Sequence, residues 1–347
     1  MARSIVSHTL AAPILAAGLA LTLASASAAP PSLARSGPVP APDRISAPHT
    51  HANLAVFLIR GRGAGLGQEF LTLQEAMERK LVVVHETGDV NELSVENLSP
   101  KLAVFIHAGD IVKGGRQDRT IPHDVLLPPR SGVVPLASFC VEHGRWSGRG
   151  QESAAAFNSS ADMVAGSEIK IAARKAADQG QVWQQVSRAQ EALSVTFGGT
   201  VAAPESPSSL QLTLQSPRVQ KSADRYIQAL AAVTDREPGA IGCAFAVNGR
   251  IRSAEIYASP ELFRKMWGKL LKSAAVEAMS APRSTSPPPT TAEVRAFLAA
   301  ADAATPESRS LSGREKLLTR ENDKAVLFET LDRERKDASI HKSYVAK

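Results

Sequence analysis

Aromatic side chains make up only 5% of this sequence. That is a thin supply for a protein that stacks bases or sugar rings, and no nucleic-acid reading motif is present, so nucleic acid is not an expected partner. There are 2 cysteines, Cys140 and Cys243, which excludes a small disulfide-framed fold and any C-x-x-C redox or metal motif. The chain has no G-x-S-x-G elbow, no G-x-x-x-x-G-K-[ST] loop and no H-E-x-x-H pair, the linear signatures of a serine hydrolase, a P-loop enzyme and a zinc protease. Its one histidine pair at short spacing, His49-Thr50-His51, has no carboxylate or cysteine beside it. Neither a metal nor a cofactor is therefore expected. Beyond residue 28 no run is long and apolar enough to span a bilayer.

What is there begins with an address. Arg3 gives a short positive start, Leu10 to Leu23 is apolar and uncharged, and Ala24-Ser25-Ala26-Ser27-Ala28 closes the segment with the small residues a signal peptidase needs. Residues 1–28 read as a cleavable signal peptide, so an exported protein, periplasmic or secreted, is expected, starting near Ala29. The alternative, an uncleaved anchor, is disfavoured by the well-formed A-x-A site. No cysteine follows the apolar run and no twin arginine precedes it, so neither a lipoprotein nor a folded-export route is expected. The next stretch, 29–51, holds six prolines among small residues and reads as a tether. The remaining length suffices for one large or two small domains, and 44% hydrophobic with 21% charged residues is ordinary for a globular protein. The formal net charge of +6 favours anionic partners without naming one.

Patterning predicts an α+β fold, mainly antiparallel sheets covered by helices, in two β-rich halves, 52–200 and 210–347, joined by a Gly/Pro/Ser linker at 197–209. Short apolar runs separated by Gly, Pro or Asp predict strands at Leu54–Ile59, Leu81–His85, Leu93–Val95, Leu102–His107, Asp110–Lys113, Asp124–Leu127 and Val133–Glu142. Gly61–Gly67 reads as a glycine-rich turn, and Thr72 with Glu75 as a capping box opening a helix to about Lys80. Alanine-rich spacing predicts helices over Ala161–Ala177 and Val182–Leu193. Further helices are expected over Gln220–Val233, Pro260–Met279 and Glu293–Ala301, and late strands at Glu315–Arg320, Ala325–Thr330 and Ile340–Val345. Ile241–Val247 and Arg250–Tyr257 flank Asn248-Gly249, which suits a two-residue hairpin turn. The register this implies pairs Val247 with Arg250, Phe245 with Arg252, Cys243 with Ala254 and Ile241 with Ile256.

One constellation could carry chemistry. Between Lys113 and Gly150 basic residues exceed acidic ones by three, and five of the six are arginine, whose planar fork grips phosphate or carboxylate bidentately. In Lys113-Gly114-Gly115-Arg116-Gln117-Asp118-Arg119 two glycines free the backbone to aim amides at an anion. Lys113, Arg116 and Arg119 would supply charge, Gln117 a neutral donor, and Asp118 would orient an arginine or act as a base. The competing reading is a tight turn with self-paired charges. In Ser138–Trp146 a continuous strand would put Ser138, Cys140 and Glu142 on one face, offering Glu142 as general base, Cys140 as thiolate, Arg145 as anion clamp and Trp146 as stacking surface. Here the competing reading is a structural ion pair between Glu142 and an arginine. Cys140 and Cys243 form either a disulfide or two buried thiols; the sequence leaves both open.

Gly109–Arg119, Leu136–Trp146 and Gly242–Lys272, the last with its Asn-Gly hairpin and its Ser259-Pro260-Glu261-Leu262-Phe263 helix start, resemble the ARG and Rhodanese-Phosphatase-superfamily-associated Protein domain. The likeness spans most of residues 52–346. The family is named for association with ADP-ribosylglycohydrolases and rhodanese-like phosphatases, which implies a link to ADP-ribose or phosphoester metabolism; it brings no established catalytic residues. The expected function is therefore binding of a small anionic ligand bearing phosphate or carboxylate. A hydrolase acting on a phosphoester or ADP-ribose-like substrate is the first alternative, with Glu142 or Asp118 as base. An envelope protein contacting anionic glycans or lipids is the second.

Overall fold

The computed structural model of the chain describes residues 44–61, 69–150, 152–282, 284, 286–311 and 313–347. The expected signal peptide, the tether up to residue 43 and the glycine-rich turn beyond Gly61 lie outside the described residues. In chain order the strands are β1 (Arg44–Ile45), β2 (His49–His51), β3 (Leu54–Arg60), β4 (Phe70–Thr72), β5 (Val82–Glu86), β6 (Glu92–Asn97), β7 (Ala103–Ile106), β8 (Asp110–Gly114), β9 (Arg119–Thr120) and β10 (Val125–Leu127). They continue as β11 (Val133–Ala137), β12 (Phe139–Cys140), β13 (Ala156–Val164), β14 (Ala240–Val247), β15 (Arg250–Tyr257), β16 (Pro306–Ser310), β17 (Glu315–Glu321), β18 (Ala325–Asp332) and β19 (Ala338–Ala346). The α-helices are α1 (Leu73–Glu78), α2 (Ser167–Ile171), α3 (Gln179–Thr196), α4 (Leu210–Gln215), α5 (Pro217–Leu230), α6 (Pro260–Ser280) and α7 (Thr291–Asp302).

The strands form a nine-stranded sheet in the order β1-β3-β14-β15-β19-β18-β17-β16, with β2 also on β3, a seven-stranded sheet in the order β11-β6-β5-β13-β8-β9-β12, and a small sheet β10-β7-β4. Every pairing is antiparallel except β4 with β7. The fold is α+β. Alternation decides the layers: Cys243, Phe245 and Val247 of β14 face a core shared with α3, α5 and α6. Ala244 and Ala246 face the opposite core, closed by Val294 and Leu298 of α7. A third core lies between α1 and the seven-stranded sheet.

Local chemistry explains the clearest boundaries. The Glu75 amide donates to Thr72 Oγ1 and the Thr72 amide to the Glu75 carboxylate at 2.8 Å, satisfying two orphan donors at once. Thr290 and Glu293 do the same for α7. The Ser259 hydroxyl accepts from the Leu262 amide, and Pro260 sits where its missing N–H costs nothing.

Several expectations need correction. Residues 44–51 are not tether: β1 and β2 both pair with β3, and Ile45 is buried. The two-halves division fails because β3, from the expected N-terminal half, sits between β1 and β14 in the sheet built mostly from the C-terminal half. The expected helix over Ala161–Ala177 is a strand until Val164, because β8 hydrogen-bonds that segment on one side; tertiary pairing overrides alanine's helix preference. The expected strand Val133–Glu142 breaks at Ser138, whose amide donates to the Asn91 carbonyl at 2.9 Å. The expected linker 197–209 buries Val201, Ser206 and Ser209. In the hairpin, Val247 does face Arg250, but a bulge then shifts the register by one, so Cys243 faces Glu255 rather than Ala254.

Candidate functional site

The arginine-glycine segment is the turn between β8 and β9, and Gly114 and Gly115 both take positive φ there. A Cβ on Gly115 would meet Phe157 Cζ at 2.5 Å, so only glycine fits. The turn's amides are aimed at anions, but the anions are the protein's own. The Gly114 amide donates to Asp118 Oδ1 at 3.1 Å, the Arg116 amide to Glu86 Oε2 at 3.1 Å, and the Asp118 amide to Glu142 Oε2 at 3.2 Å.

The side chains follow the same rule. Arg145 grips Glu142 bidentately, Nε to Oε1 at 2.8 Å and Nη2 to Oε2 at 2.7 Å. Arg149 bridges Asp118 at 3.2 Å and Glu152 at 2.9 Å. Arg119 is fully buried, with Glu86 at 3.4 Å, Gln117 Oε1 at 3.2 Å and the Cys140 sulfur as partners. Arg116 and Arg119 both lie over the Trp146 ring, at 5.4 and 5.5 Å from its centroid, so the expected stacking surface is already occupied. Ser206 and Ser209 donate to Glu142 and Asp118. The structure thus gathers Gln117, Asp118, Arg119, Cys140, Glu142, Arg145 and Trp146, with Arg116 on the same ring. Lys113 lies half-buried on β8.

Charge states fit a packed network. Burial opposes the Glu142 carboxylate, but Arg145, Ser206 and the Asp118 amide outweigh it and hold Glu142 below the ordinary carboxylate range. Burial raises Asp118, against the pull of Arg149. Burial also pushes the Cys140 thiol up to about 11, so it is no thiolate at neutral pH. Cys140 and Cys243 are both free and buried.

A second cluster escaped the linear reading. His341 of β19 lies between two carboxylates, Nδ1 at 2.8 Å from Asp124 Oδ2 and Nε2 at 2.9 Å from Glu255 Oε2. Lys170 reaches Glu255 Oε1 at 2.7 Å, and Lys269 reaches Asp110 Oδ1 at 2.7 Å. Tyr257 stacks on the His341 ring at 4.5 Å, and the His107 ring lies 4.7 Å from it. Burial opposes a charged His341, yet Asp124 and Glu255 raise its pKa, while burial and the His341 charge lower that of His107. The register shift in β14–β15 puts Glu255 and Tyr257 on the face of Cys243. The available sequence signal was polar residues inside apolar strands, Glu255 in Ala-Glu-Ile and His341 in Ile-His-Lys; their meeting had no local signature.

Beside this cluster is a cavity of about 650 Å³ walled by Ile121, Leu126, Leu136 and Phe139, with His123 and Arg309 among its polar lining. Ala173, inside a π-helical turn (Ala172–Ala176), and Ala177, just after it, also line it; such turns recur at functional sites. That turn carries Arg174, which is 5% exposed and lies 4.1 Å above the Phe328 ring. None of its three guanidinium nitrogens has a hydrogen-bond partner among the described residues. Burial, with the positive fields of Arg174 and Arg309, pushes His123 down to about 3, so it is neutral at pH 7. Arg314, on the same rim, is spent on Asp332 and Glu334.

Residues 44–345 match the ARG and Rhodanese-Phosphatase-superfamily-associated Protein domain. The chain belongs to that family. No curated protein and no solved structure matches it. Among the described residues of this family member, no helix is long and apolar enough to cross a membrane.

Proposed function

We propose that this protein binds a small anionic ligand with an apolar body, seated in the cavity walled by Ile121, Leu126 and Phe139, and that it does so after export and removal of residues 1–28. The observation that carries the reading is Arg174: a guanidinium buried with no hydrogen-bond partner among the described residues. Asp124 and Glu255 attract it only through space; a buried charge without a direct partner costs on the order of 3 kcal/mol, and an anion in the neighbouring cavity offsets part of that cost. Arg309, which forms no ion pair among the described residues, is a cation on the cavity lining itself, whereas Arg174 lies behind that lining, in the turn that reaches the cavity through Ala173. Apolar walls with few convergent polar groups are the usual make-up of a small-molecule site. A phosphoester suits these cations, and it suits the association in the family's name.

The hydrolase reading is weaker on geometry. Both oxygens of Glu142 and both of Asp118 already accept hydrogen bonds from Arg145, Arg149, Ser206, Ser209 or turn amides, leaving neither carboxylate free to take a proton from water.

The test is thermal unfolding of the mature chain with phenyl phosphate, benzoate, inorganic phosphate and phenol. Phenyl phosphate or benzoate raises the melting temperature, and phenol does not. In Arg174→Met the shift is lost while the unliganded variant melts at or above the parent temperature, because an apolar side chain of similar length replaces an unpaired charge. No shift with either organic anion, or an undiminished shift in Arg174→Met, rejects the reading. Intact mass of the exported protein, expected to begin near Ala29, checks the address.

A further inference from the structure

We propose that His107, His341 and Asp124 bind one divalent transition-metal cation, zinc being the ion their donor set suits, with Glu255 as the carboxylate that holds His341 in place. Each of the three residues offers a ligand atom, these atoms lie within 4.8 Å of one another, and all three side chains are buried. They come from the end of β7, the segment before β10, and β19.

The pointer to a metal is His107. Neither of its ring nitrogens has a hydrogen-bond partner among the described residues, although the residue is fully buried. Buried polar atoms almost always find partners, and a cation is the partner an imidazole lone pair takes without any donor being supplied. The surroundings of the other two ligands are already those of a metal site. His341 Nε2 meets Glu255 Oε2 at 2.9 Å, and Glu255 is anchored by Lys170 at 2.7 Å; a carboxylate behind a ligating histidine fixes its tautomer and orientation. Asp124 is held by the Ala108 amide at 2.7 Å and the Thr330 hydroxyl.

Little has to move. Four-coordinate zinc spaces its ligand atoms about 3.3 Å apart. The Asp124–His341 contact of 2.8 Å therefore opens by about half an ångström, and the His107 ring, restrained by no hydrogen bond among the described residues, swings in. Lys170 pairs with Glu255 and Lys269 with Asp110, which leaves Asp124, felt through space by the buried Arg174, as the carboxylate that meets the cation. Two histidines, one aspartate and an open fourth position form a donor set that zinc accepts. His123 and Val125, on either side of Asp124, line the neighbouring cavity.

The full chain, stripped with chelator, is titrated with Co²⁺ and then Zn²⁺, following visible absorption and metal content by mass spectrometry. One cobalt per chain with the intense bands of four-coordination, displaced by zinc, is expected. His107→Gln, which loses no hydrogen bond among the described residues, and Asp124→Asn each abolish stoichiometric binding, whereas His51→Gln on β2 leaves it intact. Glu255→Gln weakens affinity about 10-fold or more. Circular dichroism and melting without metal confirm that each variant is folded. Substoichiometric binding by the folded parent chain, wild-type affinity in His107→Gln, or loss in His51→Gln alone overturns the site. No anionic ligand enters the assay, so its outcome is independent of the anion-binding reading.

Discussion

Arg174 and Glu142 are both buried charges, and they differ in company. Glu142 is fully satisfied by Arg145, Ser206 and the Asp118 amide; Arg174 has no hydrogen-bond partner among the described residues, only the face of Phe328 and the more distant charges of Asp124 and Glu255. The consequences of substitution are opposite. Glu142→Gln keeps the shape but removes the charge that Arg145 grips, leaving that guanidinium its carbonyl partners Gly115 and Ser147, and breaking a buried pair at one partner costs about 3 kcal/mol. A urea midpoint lowered to that extent, with anion-induced thermal shifts unchanged, is expected from chemical denaturation. An unaltered midpoint would show that the pair contributes nothing. Glu142 sat inside a recognised charged stretch, whereas Arg174 sat in an alanine-rich run that read as helix, and nothing local marks a charge that will be buried without a partner.

At the scale of elements, the turn from β8 to β9 is built around its glycines. Gly115 has φ +56 and a Phe157 ring against the position its Cβ would fill. Gly115→Ala combines left-handed strain with overpacking and destabilises by about 2 kcal/mol. The Arg116 amide, paired with Glu86, then exchanges faster with solvent deuterium. Unchanged exchange and unchanged melting would mean that the turn tolerates a side chain. The glycine pair was legible as a turn because φ preference is a property of the residue itself. The Asn248-Gly249 turn was legible for the same reason, and the capping box at Thr72 and Glu75 because its hydrogen bonds span only three residues; the matching box at Thr290 and Glu293 went unread. The break at Ser138, the bulge between Phe245 and Ala246, and the strand over Ala161–Val164 were not. The break and the strand are imposed by partners distant in the chain, whereas the bulge lies within the hairpin itself and has no local sequence signature.

For the whole molecule, acid stability follows from the arginine network. Glu142 titrates below its ordinary value of about 4.3, so between its folded and unfolded pKa values the unfolded chain binds more protons. Its contribution is complete above the ordinary value and is lost as pH falls through the folded one. Asp118, raised by burial, acts in the opposite sense and partly offsets it. The expected result is a fall in melting temperature below about pH 4 that is shallower in Glu142→Gln than in the parent chain. Parallel curves for the two proteins would place the acid sensitivity elsewhere.

The amino-acid sequence by itself determined what depends on neighbours within a few residues. That includes the α+β class with its short antiparallel strands, the hairpin turn, the helix starts at Thr72 and Ser259, and the family likeness. The tertiary structure alone decided how charges are spent. It brought Glu86, Glu142 and Glu152 to particular arginines, of which the sequence had suggested only a pairing of Glu142. It wove β3 into the C-terminal sheet, and it assembled His107, Asp124, Glu255 and His341 from four separate segments. The physical reason is range: dihedral and capping preferences act along the chain, whereas ion pairing and burial act through space.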